Sequence, residues 1–368
     1  MNTRTVPEVA DGLAVFGESA PVALERIVAL AEQSAASDIH IQRTADEATV
    51  AFRLDGVMKP VAAMPAELAE RVSGRIKFLS NLRTYQDSMP QEGRIAKEAL
   101  GSRADARVST YPAVTGEKIV LRLFSAAQPR TVEDLQFPDA ARAAIASFLR
   151  GPAGMLLLTG PAGSGKTTTI YACLQFLARS TGRHIITIED PVEQVVPGVM
   201  QTEVNPPQGL TFAAAARHLL RQDPEVLVIG EIRDEETANA AIRAALTGHM
   251  VISTLHAGSC RGVLERLLVL CEDRHSALSS LELVLNQRLL RRRCAGCGGA
   301  GCATCLNTGY HGRVPVVEWL RLDEAGRAAI RDGGPGAAAP ALPLREAARV
   351  LVARGATDEA ECGRIFGP

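Results

Sequence analysis

The sequence predicts an α/β domain on a largely parallel sheet, preceded by a smaller α+β domain and interrupted by a compact cysteine-rich insertion. Three observations predict it. From residue 155 onward, short apolar runs alternate with helix-length amphipathic segments. Before residue 125, apolar and polar residues alternate in strand fashion between two helical patterns. Four of the eight cysteines crowd into residues 294–305.

At 368 residues the chain is long enough for two cores. With 46% hydrophobic and 22% charged residues it reads as globular rather than disordered. A formal net charge of −1 supplies no global field toward nucleic acid or anionic lipid, so any such contact must be a local patch. The first twenty residues mix Arg4, Glu8, Asp11 and Glu18 with apolar residues, and no secretory leader is expected. No run approaches the roughly 18 apolar residues of a membrane span. Clustered cysteines in such a chain favour metal over disulfides. Cys173, Cys260, Cys271 and Cys362 read as small apolar residues.

Taken in order, residues 1–21 form a variable amino-terminal segment and residues 22–125 the α+β domain. That domain holds helical patterns at 22–36 and 67–82 and strands around Ile39 and Ile41, Val50 to Leu54, 105–110 and 118–124. Residues 126–140 read as a linker, and 141–368 as the α/β domain, including the knuckles at 294–305. Its strands are expected at 155–159, 184–189, 226–229 and 250–254, with helices at 166–179, 211–221 and 235–247. Residues 332–343, rich in Gly, Ala and Pro, read as a flexible surface connection.

The chemistry concentrates after three of these strands. Gly160, Pro161, Ala162, Gly163, Ser164, Gly165, Lys166 and Thr167 fit G-x-x-x-x-G-K-[ST] between a strand and a helix, with Thr168 following. Glycines let backbone N–H groups approach phosphates, the helix amino end favours negative charge, Lys166 suits the β- and γ-phosphates, and the Thr167 hydroxyl suits Mg²⁺. Four apolar residues then lead to Gly230 and Glu231, which places a carboxylate beside that metal. Glu189, Asp190 and Glu193 lie at another strand's carboxyl end, where one of them can orient or deprotonate water.

Segments 160–169, 186–193, 220–234 and 247–256 resemble, in order, the Walker A, Asp box, Walker B and His box of the secretion ATPase superfamily. Upstream, 38–41, 52–56, 91–95 and 106–123 are similar to that family's smaller amino-terminal domain. The likeness spans about residues 22–320 and is to the assembly ATPases of type II secretion systems and type IV pili. It implies a RecA-like P-loop NTPase domain hydrolysing ATP with Mg²⁺ in a homo-hexameric ring. ATP would lie between the two domains of a subunit and an adjacent subunit, at an inner-membrane platform protein reached from the cytoplasm. Carried over by motif, Glu193 is the general base, with Glu189 its competitor, and Glu231 holds Mg²⁺ and water. His249 and His256 sense the γ-phosphate, and Arg94 and Arg107 contact phosphate, with a surface ion pair as the alternative for each arginine. The resemblance also implies that the amino-terminal docking domain common in assembly members is absent.

Cys294, Cys297, Cys302 and Cys305 form two C-x-x-C knuckles around a glycine-rich reversal, a donor set for structural tetrahedral Zn²⁺. Assembly members resemble this and retraction members generally lack it. The insertion between the knuckles is shorter than in relatives, and Pro315 stands where glycine is usual. Arg291, Arg292 and Arg293 read as a solvated face, with acidic headgroups or a partner as the alternative. The competing functions are a pilus-retraction or DNA-uptake motor and a nucleotide-gated scaffold without turnover.

Overall fold

The computed structural model describes residues 10–11, 16–123, 130–180 and 182–367, which fall into two compact units. The first comprises residues up to 128 together with 293–312, and the second residues 129–292 and 313–368.

The first unit is a seven-stranded sheet covered by helices on one face. Its elements are β1 (Ala10–Asp11), α1 (Ala20–Gln33), β2 (Asp38–Arg43), β3 (Glu47–Leu54), β4 (Val57–Pro65), α2 (Ala66–Leu79), β5 (Gln91–Ile95), α3 (Lys97–Leu100), β6 (Ala106–Tyr111) and β7 (Lys118–Leu123). The sheet order is β1-β4-β3-β2-β7-β6-β5. Apolar alternation sends Ile39, Ile41, Val50, Phe52, Ile119 and Leu121 to the helical face, where they meet Leu24, Ile27 and Val28 of α1 and Leu68, Val72 and Ile76 of α2. Phe16, expected in the variable segment, is fully buried in this core. The open face is polar, and its register makes Arg94, Arg107 and Arg122 successive cross-strand neighbours on β5, β6 and β7.

The second unit carries the parallel sheet. It contains α4 (Asp139–Arg150), β8 (Gly154–Thr159), α5 (Lys166–Ser180), β9 (Ile185–Glu189), β10 (Val199–Glu203), α6 (Phe212–Leu219), β11 (Val226–Ile229), α7 (Glu235–Leu246) and β12 (Met250–Thr254). After these come α8 (Cys260–Leu270), α9 (Arg274–Ser280), β13 (Leu281–Arg293), β14 (Tyr310–Arg321), α10 (Glu324–Gly333), α11 (Leu344–Ala353) and α12 (Glu359–Phe366). The strand order is β10-β9-β11-β12-β8-β13-β14, with the pairs from β10 through β13 all parallel. Continuous apolar runs are what a sheet buried on both faces needs. Leu157, Leu227 and Val251 enter one core, and Leu156, Val228 and Ile252 the other.

Three boundaries differ from the sequence expectation. Residues 126–129 of the expected linker lie outside the described residues, and the rest supplies Val132, Leu135 and Phe137 to the second unit's core. In 332–343, α10 runs to Gly333, a 3₁₀ turn spans Pro335–Ala337, and Leu342 packs against core. Composition hid this because the few apolar residues are spaced too widely to show a period. The cysteine segment groups with the first unit, where Leu306 packs on the core and the Gly312 N–H donates to Asp55 Oδ2 at 2.8 Å.

Lys77, 1% exposed at the end of α2, secures two loops of the first unit. Its ammonium meets Asp87 at 2.5 Å and buried Glu117 at 2.8 Å, and donates to the Gln86 carbonyl at 3.1 Å. Removing one member of a buried pair leaves the other charge uncompensated. Lys77→Ala should therefore destabilise the first unit by about 3–5 kcal/mol in urea denaturation. A loss under about 1 kcal/mol, the size of an exposed pair, would refute this role.

Candidate nucleotide-binding site and cysteine cluster

The loop after β8 turns because two glycines permit it. Gly160 has φ 137° and Gly165 φ 91°, and a Cβ there would stand 2.3 Å from the Gln287 carbonyl oxygen and 2.6 Å from Gln287 Nε2 respectively. β13 causes this crowding by pairing with β8, Asn286 opposite Thr159. Buried Gln287 donates from Nε2 to the Ser164 carbonyl at 2.8 Å and accepts from the Thr169 hydroxyl at 3.0 Å, joining the loop to the first turn of α5. Lys166 Nζ donates to the carbonyls of Gly160 and Pro161 at 2.8 and 3.0 Å. Burial and the nearby Arg288 charge lower its pKa, against the opposing charge of Glu231. Thr167 and Thr168 are exposed at the start of α5.

Glu231 follows β11 and is mostly shielded. Burial would raise its pKa, but an ion pair with Arg233 and the His256 ring outweigh it and hold the carboxyl below its ordinary range. His256 Nε2 lies 3.3 Å from Glu231 Oε2. A carboxylate kept ionised within electrostatic reach of Lys166 fits a divalent cation bound with phosphate.

The other two carboxylates separate by environment. Glu189 is buried at the end of β9, accepting from the Tyr171 and Thr187 hydroxyls at 2.5 Å each and from Gln201 Nε2 at 2.9 Å. With three donors on it, this side chain is a brace. Glu193 is exposed, and its backbone N–H and that of Gln194 donate to the Tyr171 oxygen at 3.1 Å each. Tyr171 of α5 thus ties the segment carrying Glu193 to the helix that begins at Lys166. Burial and the bond to Glu189 push its phenol well above the ordinary range.

The structure separates the two histidines expected to act together. His256 follows β12 at the carboxyl edge, whereas His249 precedes β12. The five residues between them in β12 span about 16 Å. His249 Nδ1 lies 3.0 Å from the Ala244 carbonyl and 3.1 Å from the Thr247 hydroxyl, closing the turn after α7. His249 thus stands at the opposite edge of the sheet from His256. Arg94 pairs with Asp105 at 2.7 Å and Arg107 with Glu92 at 2.6 Å, all in the first unit. The run at 291–293 is not simply solvated. Arg291 pairs with buried Glu361 at 2.8 Å, Arg292 bonds Gln136, and Arg293 bonds the Gly298 carbonyl.

In the cysteine segment all four sulfurs lie within 4.8 Å of one another. Cys294–Cys302, Cys297–Cys305 and Cys302–Cys305 are 3.8, 3.9 and 3.7 Å apart. Tetrahedral metal–sulfur bonds of about 2.3 Å require edges of about 3.8 Å, far longer than a disulfide of about 2 Å. Backbone N–H groups of Gly301 and Cys302 donate to Cys297 and Cys305 sulfurs at 3.2 Å each, favouring thiolate. The donor set therefore fits a tetrahedral metal.

A glycine loop between a parallel strand and a helix, a lysine at its end and an ionised carboxylate after the next strand but one in the sheet define a P-loop nucleotide-binding protein. A family model described as Type II/IV secretion system protein matches residues 18–363. The chain belongs to this family. It is 40% identical over 368 residues to the type II secretion system protein HxcR of Pseudomonas aeruginosa, covering 97% of this chain and 77% of that one. Over 322 residues it is 39% identical to type II secretion system protein E of Dickeya dadantii, covering 81% and 64%. Among solved structures, the ATPase DotB of Legionella pneumophila shares the fold, with TM-score 0.74 at 22% identity over 99% of this chain and 98% of that one. The pilus retraction motor PilT, solved with ADP, gives TM-score 0.65 at 25% identity over 94% and 97%. No described helix is long and apolar enough to cross a membrane.

Tyr171, Gln287 and Arg233 were not singled out from the sequence. Gln287 ends an apolar run and Tyr171 lies on the buried face of α5, which were the available signals. Tyr171→Phe should cost about 1–3 kcal/mol of stability by removing one of three donors to Glu189 and the acceptor of two backbone N–H groups. It should also slow phosphate release through the segment carrying Glu193. Unchanged melting and turnover would remove Tyr171 from the site.

Proposed function

We propose that this chain is an ATP-hydrolysing motor that powers type II secretion or type IV pilus assembly. It works as a homo-hexamer on the cytoplasmic side of an inner-membrane platform protein. The observation that carries the ATPase reading is Glu231, paired with Arg233 and 3.3 Å from His256 at the carboxyl edge of the parallel sheet that also sends out the loop to Lys166. Membership of the secretion family supports the machine, and the tetracysteine segment favours assembly over retraction.

Lys166 exchanges its two carbonyl partners for the β- and γ-phosphates, and loop N–H groups hold the phosphate oxygens. The Thr167 hydroxyl and Glu231 would hold Mg²⁺ bound with ATP, and the ion would supply neutralising charge for the phosphates. Glu193, exposed where Glu189 is locked, takes the proton of the attacking water. His256 orients Glu231. The phosphate contacts assigned to Arg94 and Arg107 require each to exchange its carboxylate for a neighbouring subunit's nucleotide. Zn²⁺ on Cys294, Cys297, Cys302 and Cys305 is structural, ordering a glycine-rich segment that cannot fold by packing alone.

Lys166→Ala should abolish ATP binding. Glu193→Gln and Glu231→Gln should bind ATP but release phosphate at least ~100-fold more slowly. Full turnover in both Gln variants would return the base to Glu189, and binding without phosphate release by the parent would support the scaffold reading. Co-purification with a polytopic membrane protein tests the platform.

Elemental analysis should find one zinc per chain. Cys297→Ser with Cys302→Ser should lower zinc content and thermal stability more than ATP affinity. Metal-free protein that is fully folded, with four titrating thiols, would sink the zinc assignment.

A further inference from the structure

Beside the phosphate loop stands a second cation that no motif claims. Asn286 of β13 lies opposite Thr159, so Arg288, two residues on, is level with the loop that follows β8. Strand alternation turns Gln287 toward α5 and sends Asn286 and Arg288 to the other face. There Asn286 Nδ2 donates to the Gly258 carbonyl at 3.0 Å, just beyond His256.

Arg288 is half-buried, and its Nη1 is buried without a hydrogen-bond partner among the described residues. The carboxylate whose charge it feels is Glu318. Glu318 is already occupied, accepting from the Cys260 N–H, Asn286 Nδ2 and the Leu344 N–H at 2.8, 3.1 and 3.0 Å. The positive group within electrostatic reach is Lys166. Two partly desolvated cations within electrostatic reach of each other are costly unless an anion meets them.

We propose that Arg288 is a phosphate-contacting residue of the nucleotide site, supplying a second positive charge from the same chain as Lys166. A guanidinium presents a planar fork of donors that matches phosphate oxygens, and its charge persists at any working pH. The direction of both shifts agrees with this placement: burial lowers each pKa, the Arg288 charge lowers that of Lys166 further, and Glu318 opposes the shift at Arg288. The inference rests on the proposed nucleotide site and deepens it.

The test uses the full chain, with fluorescent ADP as the reporter and ATP and inorganic tripolyphosphate as competitors. Tripolyphosphate has neither base nor ribose, so it isolates the anion contacts. Parent protein should be competed by both. Arg288→Gln should need roughly ten-fold or more of either competitor, the loss expected for one charged hydrogen bond. Arg288→Lys should recover part of that loss. Ligand-free Arg288→Gln should melt no lower than the parent, because an unpaired cation has been removed. Parent-like competition by tripolyphosphate in Arg288→Gln overturns the inference and leaves the nucleotide site standing. A loss accompanied by lower melting and not relieved in Arg288→Lys also overturns it, in favour of a packing role. A parent that binds no nucleotide removes the proposed function and this inference together.

Discussion

The site depends on one geometric constraint, the common direction of β8, β9, β11 and β12. Parallel pairing puts the carboxyl ends of four strands on one edge, so their following residues converge without being close in sequence. The glycine loop, Glu189 and the turn to Glu193, Glu231, and His256 all leave from that edge. The register enforces it, with Thr254 opposite Leu158 and Ile229 opposite Ile188. Parallel strands need crossovers, and the crossover after β8 begins with α5, whose amino end faces the loop. The same constraint places His249, one residue before β12, at the other edge.

The loop itself is shaped from outside. Gln287 approaches Gly160 and Gly165 so closely that neither position accepts a side chain without a shift. One buried amide then holds both ends of the turn, through Ser164 and Thr169. The strand forcing this contact, β13, continues into Arg293, where the chain joins the first unit before returning at Arg313. The cysteine segment is thus covalently continuous with the strand bracing the phosphate loop, while its packing partner Leu306 lies on the first unit's core.

Much of this was legible in sequence, and the exceptions have physical causes. Apolar runs and the glycine motif located β8, α5, β11 and β12 to within a residue or two, because each signal is local. His249 and His256 belong to one motif seven residues apart, and only strand direction separates them. Glu189 and Glu193 looked equivalent until Tyr171, Thr187 and Gln201 occupied one of them. Those partners come from α5, β9 and β10, and no spacing rule connects them. The cysteines were plain as a donor set, yet their grouping with the first unit rests on contacts with residues far away in sequence: the core on which Leu306 packs, and Asp55, which accepts from the Gly312 N–H.

The described site is already held together by bonds that ATP would have to replace. Lys166 is bonded to loop carbonyls, Glu231 to Arg233, Arg107 to Glu92 and Arg94 to Asp105. Exposed pairs such as the last two contribute at most about 1 kcal/mol, so exchanging them is inexpensive. Each exchange nevertheless frees a carboxylate, and the freed group alters the surface on which it sits. A ligand shifts a conformational equilibrium only by its differential affinity for the two states. ATP and ADP differ at the γ-phosphate, so the phosphate contacts proposed for Arg94 and Arg107 would make their ion pairs with Asp105 and Glu92 sensitive to hydrolysis. On the first unit's open face Arg94, Arg107 and Arg122 stand side by side. Like charges directly opposite across strands repel, so that face stays stable only while each arginine has an anion. In the structure those anions are Asp105 for Arg94, Glu92 for Arg107 and Asp38 for Arg122.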